Sequence, residues 1–202
     1  MRTKPMPVAC PNCGVVLDPA PKQKKKCPSC GNDVYVRTDP FNKQKTYYLK
    51  RDDALLLDVI RDLQISEKAF TDAKNKAPKS LSLGDIVWGL IGHEKLEAAH
   101  KNDWQSISAI TWRQARYLYE VGRGYFHVQQ AAMKEQLQGA LAQGVTHVEI
   151  SSARDDRTCE KCRSQDGMVF TIQEALEKMP IPVKCDNEEG WCRCVYTYKI
   201  ER

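Results

Sequence analysis

The chain has 202 residues, 28% of them charged, with a formal net charge of +5, a size that allows one or two domains. No apolar run approaches the roughly 20 residues needed to cross a bilayer, and the start Met1-Arg2-Thr3-Lys4-Pro5 lacks a secretory apolar stretch. The expectation is a cytoplasmic protein without a membrane partner, in whose reducing surroundings the nine cysteines serve as thiolates for metal rather than as disulfides.

Cys10-Pro-Asn-Cys13-Gly14 and Cys27-Pro-Ser-Cys30-Gly31 are two copies of one knuckle. Two residues between cysteines let one turn present both sulfurs, and a tetrahedral ion takes two such pairs. The glycine after each pair permits the left-handed backbone that aims peptide N–H groups back at sulfur. Val34 to Thr38 alternates as a strand, Asp39-Pro40-Phe41-Asn42 is turn chemistry, and Thr46 to Leu49 reads as a returning strand. Residues 1–51 are therefore read as a zinc ribbon.

Charge is uneven. Residues 1–51 hold eleven Lys or Arg against Asp18, Asp33 and Asp39, whereas the remainder is slightly acidic. Lys22, Lys24, Lys25 and Lys26 sit between the knuckles, and with Arg37, Lys43 and Lys45 they form a candidate surface for DNA or RNA through counterion release. A solvated loop beside four metal-bound thiolates is the plainer account of the same residues.

Residues 52–144 read as a helical domain. Asp52 or Asp53 is placed to cap a helix carrying Leu55, Leu56, Val59, Ile60 and Leu63, and Ser66 opens a second. A third begins near Ser82, with Ile86, Val87, Leu90, Ile91 and Leu96 as its apolar members and Asp85 at its positive end. From Trp104 a helical pattern runs into Gly122-Arg123-Gly124 and resumes from Phe126 to Ala142, either as one bent helix or as an antiparallel pair.

Residues 145–202 read as a separate α+β unit. Val145 to Ser151 alternates as a strand, and Thr171-Ile-Gln-Glu174 is a capping box for a short helix to about Lys178. Cys192 to Ile200 alternates again, placing Tyr196, Tyr198 and Ile200 on the face of Cys192 and Cys194. Cys159 and Cys162 offer one sulfur pair and Cys185, Cys192 and Cys194 three candidates for the other two places. Cys159, Cys162, Cys185 and Cys192 are the first choice for a second zinc site.

Asp155-Asp-Arg157-Thr158-Cys159-Glu-Lys-Cys162, then Asp166-Gly-Met-Val-Phe170, then Cys192-Arg193-Cys194 resembles the C-terminal domain of the Mu F-like minor head (head morphogenesis) proteins of tailed phages, over about 50 residues. The resemblance implies that Asp155, Arg157 and Thr158 organise the first knuckle, that Arg193 lies in the closing strand, and that the chain serves virion assembly beside a portal, a capsid or packaged DNA. The family's His-Pro before Cys-Arg-Cys is replaced by Gly190-Trp191, and Cys185 is the candidate to stand in for that histidine.

Other combinations carry less. His93, Glu97 and His100 share a helix face but not the spacing of a metalloprotease motif. Trp104 and Trp112 read as core, and Arg113, Arg116, Glu120 and Arg123 as a salt-bridged surface. Neither a glycine-rich phosphate loop nor a nucleophile elbow is present. The sequence thus reads as an α+β, two-zinc, non-enzymatic assembly protein. A zinc-ribbon regulator of nucleic acid and a hydrolase or nuclease are the alternatives, and a virion location follows if the phage resemblance holds.

Overall fold

The computed structural model describes residues 7–186 and 190–199 of a mixed α+β chain, which divides into two compact units, residues 1–92 and 93–202. Residues 1–5 and Ile200 lie outside the described residues.

In the first unit β1 (Val8–Ala9) pairs antiparallel with β2 (Val16–Leu17), and the first knuckle is the turn between them. β3 (Lys25–Lys26), β4 (Asp33–Thr38) and β5 (Thr46–Leu49) form an antiparallel sheet in that order, with the second knuckle between β3 and β4. The two turns repeat bond for bond. Cys10 N donates to Val15 O and Cys27 N to Asn32 O at 2.8 Å, while Gly14 N donates to Cys10 O and Gly31 N to Cys27 O at 2.9 Å. Gly14 and Gly31 have φ of +76° and +70°, the backbone region that side-chain-bearing residues rarely enter. Cys10, Leu17, Cys27 and Val34 make the small core, so half of its members are thiols.

Asp39 accepts from the Phe41 and Asn42 amides at 2.8 and 3.1 Å and from the Tyr47 hydroxyl at 2.8 Å, which fixes the β4–β5 turn. α1 (Arg51–Asp62) buries Ala54, Leu56, Val59 and Ile60. Its N-cap is Lys50, with no side-chain hydrogen bond. Asp52 and Asp53, expected to cap it, sit inside the first turn instead, where they face the positive end of the helix without a capping bond. α2 (Glu67–Lys76) opens on Ser66, whose Oγ accepts from Ala69 N at 3.1 Å, and its Phe70 ring lies 5.5 Å from that of Phe41. α3 (Leu83–His100) begins with a reciprocal Ser82–Asp85 cap. Val87, Leu90 and Ile91 are buried, but Leu96 is exposed.

In the second unit α4 (Trp104–Glu120) and α5 (Phe126–Ala142) are an antiparallel pair rather than one bent helix. Ser108 Oγ donates to Ala132 O at 3.1 Å, and an added Cβ on Gly139 would lie 2.7 Å from Trp104 Cβ, so early residues of one helix meet late residues of the other. β6 (His147–Ser151) is the centre of a three-stranded antiparallel sheet, with β7 (Val169–Thr171) on one side and β8 (Val195–Lys199) on the other. α6 (Glu160–Gln165) carries Cys162, and α7 (Ile172–Lys178) starts with the full capping box of Thr171 and Glu174. Met133, Leu137, Val148, Ile150, Ile172, Ile181 and Tyr196 share one core with Cys159, Cys162, Cys192 and Cys194, and Trp112 packs against it.

These units do not coincide with segments 1–51, 52–144 and 145–202. Arg37 of β4 grips Asp58 of α1, which ties that helix to the strands before it, while Met133 and Leu137 of α5 enter the core of the strands that follow. The closing strand is also shorter than the alternation predicts. Cys192, Arg193 and Cys194 precede β8, and on β8 Tyr196 is buried whereas Tyr198 is exposed. Among the described residues no helix is long and apolar enough to cross a membrane.

Candidate metal centres

Cys10, Cys13, Cys27 and Cys30 bring their sulfurs within 4.8 Å of one another. Cys10 Sγ lies 4.0 Å from Cys30 Sγ and Cys13 Sγ 3.8 Å from Cys27 Sγ, far from the roughly 2.05 Å of a disulfide. A tetrahedral tetrathiolate with metal–sulfur bonds of about 2.3 Å has sulfur–sulfur edges of about 3.8 Å, so the spacing fits a bound ion. The local backbone prepares for thiolate charge. Asn12 N lies 3.4 Å from Cys10 Sγ, the Val15 amide favours the Cys13 thiolate, and the Asn32 amide does the same for Cys30.

Cys10 and Cys13 do not ionise alike. Burial opposes the Cys10 thiolate, but the Asn12 and Cys13 amides and the surrounding thiols outweigh it and bring Cys10 down to about 6. At Cys13 the Val15 amide is outweighed by burial and by the neighbouring sulfurs, which push it up to about 11. Four thiols gathered this closely suit a soft metal ion, whose binding displaces their protons.

The second centre has five thiols in two overlapping triangles. Cys159, Cys162 and Cys185 lie within 4.8 Å of one another, as do Cys162, Cys192 and Cys194. Cys162 belongs to both, with its Sγ 3.5 Å from Cys185 and 3.8 Å from Cys192. A bond from the Cys194 thiol outweighs burial and, with the Cys194 and Val183 amides, brings Cys192 down to about 6. Burial pushes Cys162 up to about 12 and raises Cys185, and the Cys192 sulfur with burial raises Cys194. Both clusters can therefore hold a metal ion.

Around the second centre an ion pair ties the Cys159–Cys162 segment to the Cys192–Cys194 segment. The Arg193 guanidinium forks onto Asp155, Nη1 to Oδ2 and Nη2 to Oδ1, both at 2.6 Å. Asp155 also accepts from Thr158 Oγ1 at 2.9 Å, while its own amide donates back to that oxygen at 3.0 Å. Arg193 holds the Asp155 carboxyl well below the usual carboxylate range. Arg157 approaches the same carboxylate at 3.9 Å.

No protein-family model, curated protein or solved structure matches this chain.

Several supporting residues have no local signature in the sequence. Gln129 of α5 is fully buried and its Nε2 donates to Cys192 O at 2.7 Å. The Tyr125 hydroxyl donates to Gly190 O, and Trp191 is buried among Trp112, Tyr119 and Tyr125, with ring centroids 5.2, 5.2 and 5.3 Å away. These contacts span 63 to 79 positions of chain, and helical periodicity marks Gln129 only as a polar residue.

The basic residues of the first unit separate into two groups. Lys24 binds Asp33 at 2.9 Å, and its ammonium lies 4.9 Å from the Tyr35 ring centroid. Arg37 is forked onto Asp58, with Nε 3.0 Å from each oxygen, and Lys45 lies 4.7 Å from the Tyr47 ring centroid. Lys22, Lys25, Lys26 and Lys43 are exposed. His93, Glu97 and His100 are exposed along α3 and do not form a metal-ligand group among the described residues. Arg116 pairs with Glu120 at 2.7 Å, and Arg123 is exposed.

Proposed function

We propose that the chain is a non-enzymatic protein built on two structural zinc ions, an N-terminal zinc ribbon at Cys10, Cys13, Cys27 and Cys30 and a second centre among Cys159, Cys162, Cys185, Cys192 and Cys194, and that it acts as an assembly protein of the phage minor-head kind. Zinc is favoured because the donors are all soft thiolates spaced for tetrahedral bonds, and a site filled by four of them leaves no place for an activated water. The observation that carries the assembly reading is the Arg193–Asp155 fork. It joins the Asp-x-Arg-Thr-Cys segment to the Cys-Arg-Cys segment, the two pieces on which the resemblance rests. The test is co-expression with the portal and capsid proteins encoded beside its own gene, followed by sedimentation. Co-migration with portal-sized or capsid-sized particles supports the reading; migration as free protein, or a gene with no such neighbours, opposes it.

A second reading, a nucleic-acid-binding ribbon, is favoured by one observation. Lys22, Lys25 and Lys26 are exposed and have no ion-pair partner among the described residues. Replacing all three with glutamine would lower the salt slope of duplex binding by about 2.7 if each meets a phosphate. An unchanged slope would remove this reading.

A further inference from the structure

A tetrahedral ion takes four thiolates, and the second centre offers five. Cys159, Cys162 and Cys185 form one compact set, and either Cys192 or Cys194 must complete it. Two observations name different candidates. Cys192 Sγ lies 3.8 Å from Cys162 Sγ. A small, half-open cavity of about 10 Å³ is lined by Cys159, Cys162, Cys185 and Cys194, together with Arg193, Trp191 and three residues of the 153–158 segment, but not by Cys192. Neither sulfur joins the first triangle as a set within 4.8 Å, and both join Cys162.

Both cysteines sit beside one anchored segment. Cys192 and Cys194 lie just before β8, and their sulfurs are within 4.8 Å of each other and of Cys162, so both side chains face the centre. Arg193, between them, is pinned by its fork to Asp155. The Cys192 carbonyl is held by Gln129.

We infer that Cys192 and Cys194 share the fourth coordination position of the C-terminal centre, each able to replace the other at the ion. This rests on the zinc reading of the same thiols. In the exchange the Zn–S bond to one cysteine breaks as the bond to the other forms, and the proton of the incoming thiol passes to the departing thiolate. Charge, protons and oxidation states are unchanged. The ion keeps four sulfurs throughout, so the centre tolerates the loss of either cysteine but not of both.

The experiment is native mass spectrometry of the full chain, with zinc affinity from competition against a chromophoric chelator, on the parent, Cys192→Ser, Cys194→Ser and the double variant. The N-terminal centre is an internal reference. The expected result is two ions in the parent and in each single variant, with affinity at the second centre within about tenfold of the parent. The double variant keeps one ion, its second affinity reduced by about a hundredfold or more. A hundredfold loss in one single variant but not the other identifies a fixed ligand and overturns the exchange, as does such a loss in both or full retention in the double variant. Fewer than two ions in the parent overturns the zinc reading beneath it instead. Cys192→Ala and Cys194→Ala, with helical content checked by circular dichroism, separate a lost ligand from a buried hydroxyl that prevents folding.

Discussion

Gly139 of α5 packs directly against Trp104 of α4, and its replacement by alanine is a sharp test of that packing. The new Cβ would stand 2.7 Å from Trp104 Cβ and 3.5 Å from its Cγ, well inside carbon–carbon contact distance. Helix propensity favours alanine over glycine by about 1 kcal/mol, and inserting a methyl group into a close-packed interface costs about 1–3 kcal/mol. Gly139→Ala should therefore destabilise the second unit by roughly 1 kcal/mol net, or about 4–8 °C in Tm for a unit of this size. Trp104→Ala in the same chain cannot relieve the clash, because the atom struck is the Cβ that alanine retains. Gly139→Val should cost more, since β-branching adds volume at the same place. The assay is thermal unfolding of the zinc-loaded protein by circular dichroism. A Gly139→Ala variant that is more stable than the parent would show that propensity alone governs the site and that the helices are not packed as described.

Four further outcomes follow. Asp58→Ala strands the Arg37 guanidinium, which is only 26% exposed, and should cost about 1–3 kcal/mol in urea unfolding; no change would mean the fork is ornamental to stability. Asp39 is held below its usual range because the Phe41 and Asn42 amides and the Tyr47 hydroxyl outweigh burial. Its contribution is therefore present above the unfolded-state value of about 3.9 and lost as pH falls through the lower folded value. Between pH 5 and 2 the urea midpoint of Asp39→Asn should fall less steeply than that of the parent, and parallel curves would contradict this. Stripping metal with a thiol-blocking mercurial should raise amide exchange in β1 to β5 to near-unfolded rates before α4 and α5 lose protection, since half of the first unit's small core is cysteine; simultaneous loss would contradict it. Leu137→Ala, at a fully buried position of the second core, should cost about 2–5 kcal/mol, read as a lowered urea midpoint, and a cost below 1 kcal/mol would deny it a place in that core.

What could be read from the chain was local. The two knuckles, the Ser66 cap and the Thr171–Glu174 box each use residues within about five positions, and each is present as a hydrogen-bonded unit. The Asp52 and Asp53 expectation failed by two to three residues because a carboxylate suits the cap and the first turn almost equally, and the choice falls to the backbone. Tertiary contacts were less legible. Arg37 looks like a phosphate ligand until Asp58, 21 residues on, takes its guanidinium, and Lys24 until Asp33 does the same. Leu96 fits the helical period yet is exposed, because period marks a face without saying whether anything covers it. The five C-terminal cysteines were all visible, but their arrangement as two triangles sharing Cys162 depends on a chain reversal that spacing does not encode.

The most direct test of the central claim is the zinc-to-protein ratio, measured by elemental mass spectrometry on full-length protein purified without chelator, for the parent, Cys13→Ser and Cys162→Ser. Two zinc ions per chain in the parent, falling to one in each variant, is the expected result, since Cys13 serves only the first centre and Cys162 joins both triangles of the second. A parent ratio clearly below two, or a Cys162→Ser ratio equal to the parent's, would contradict it.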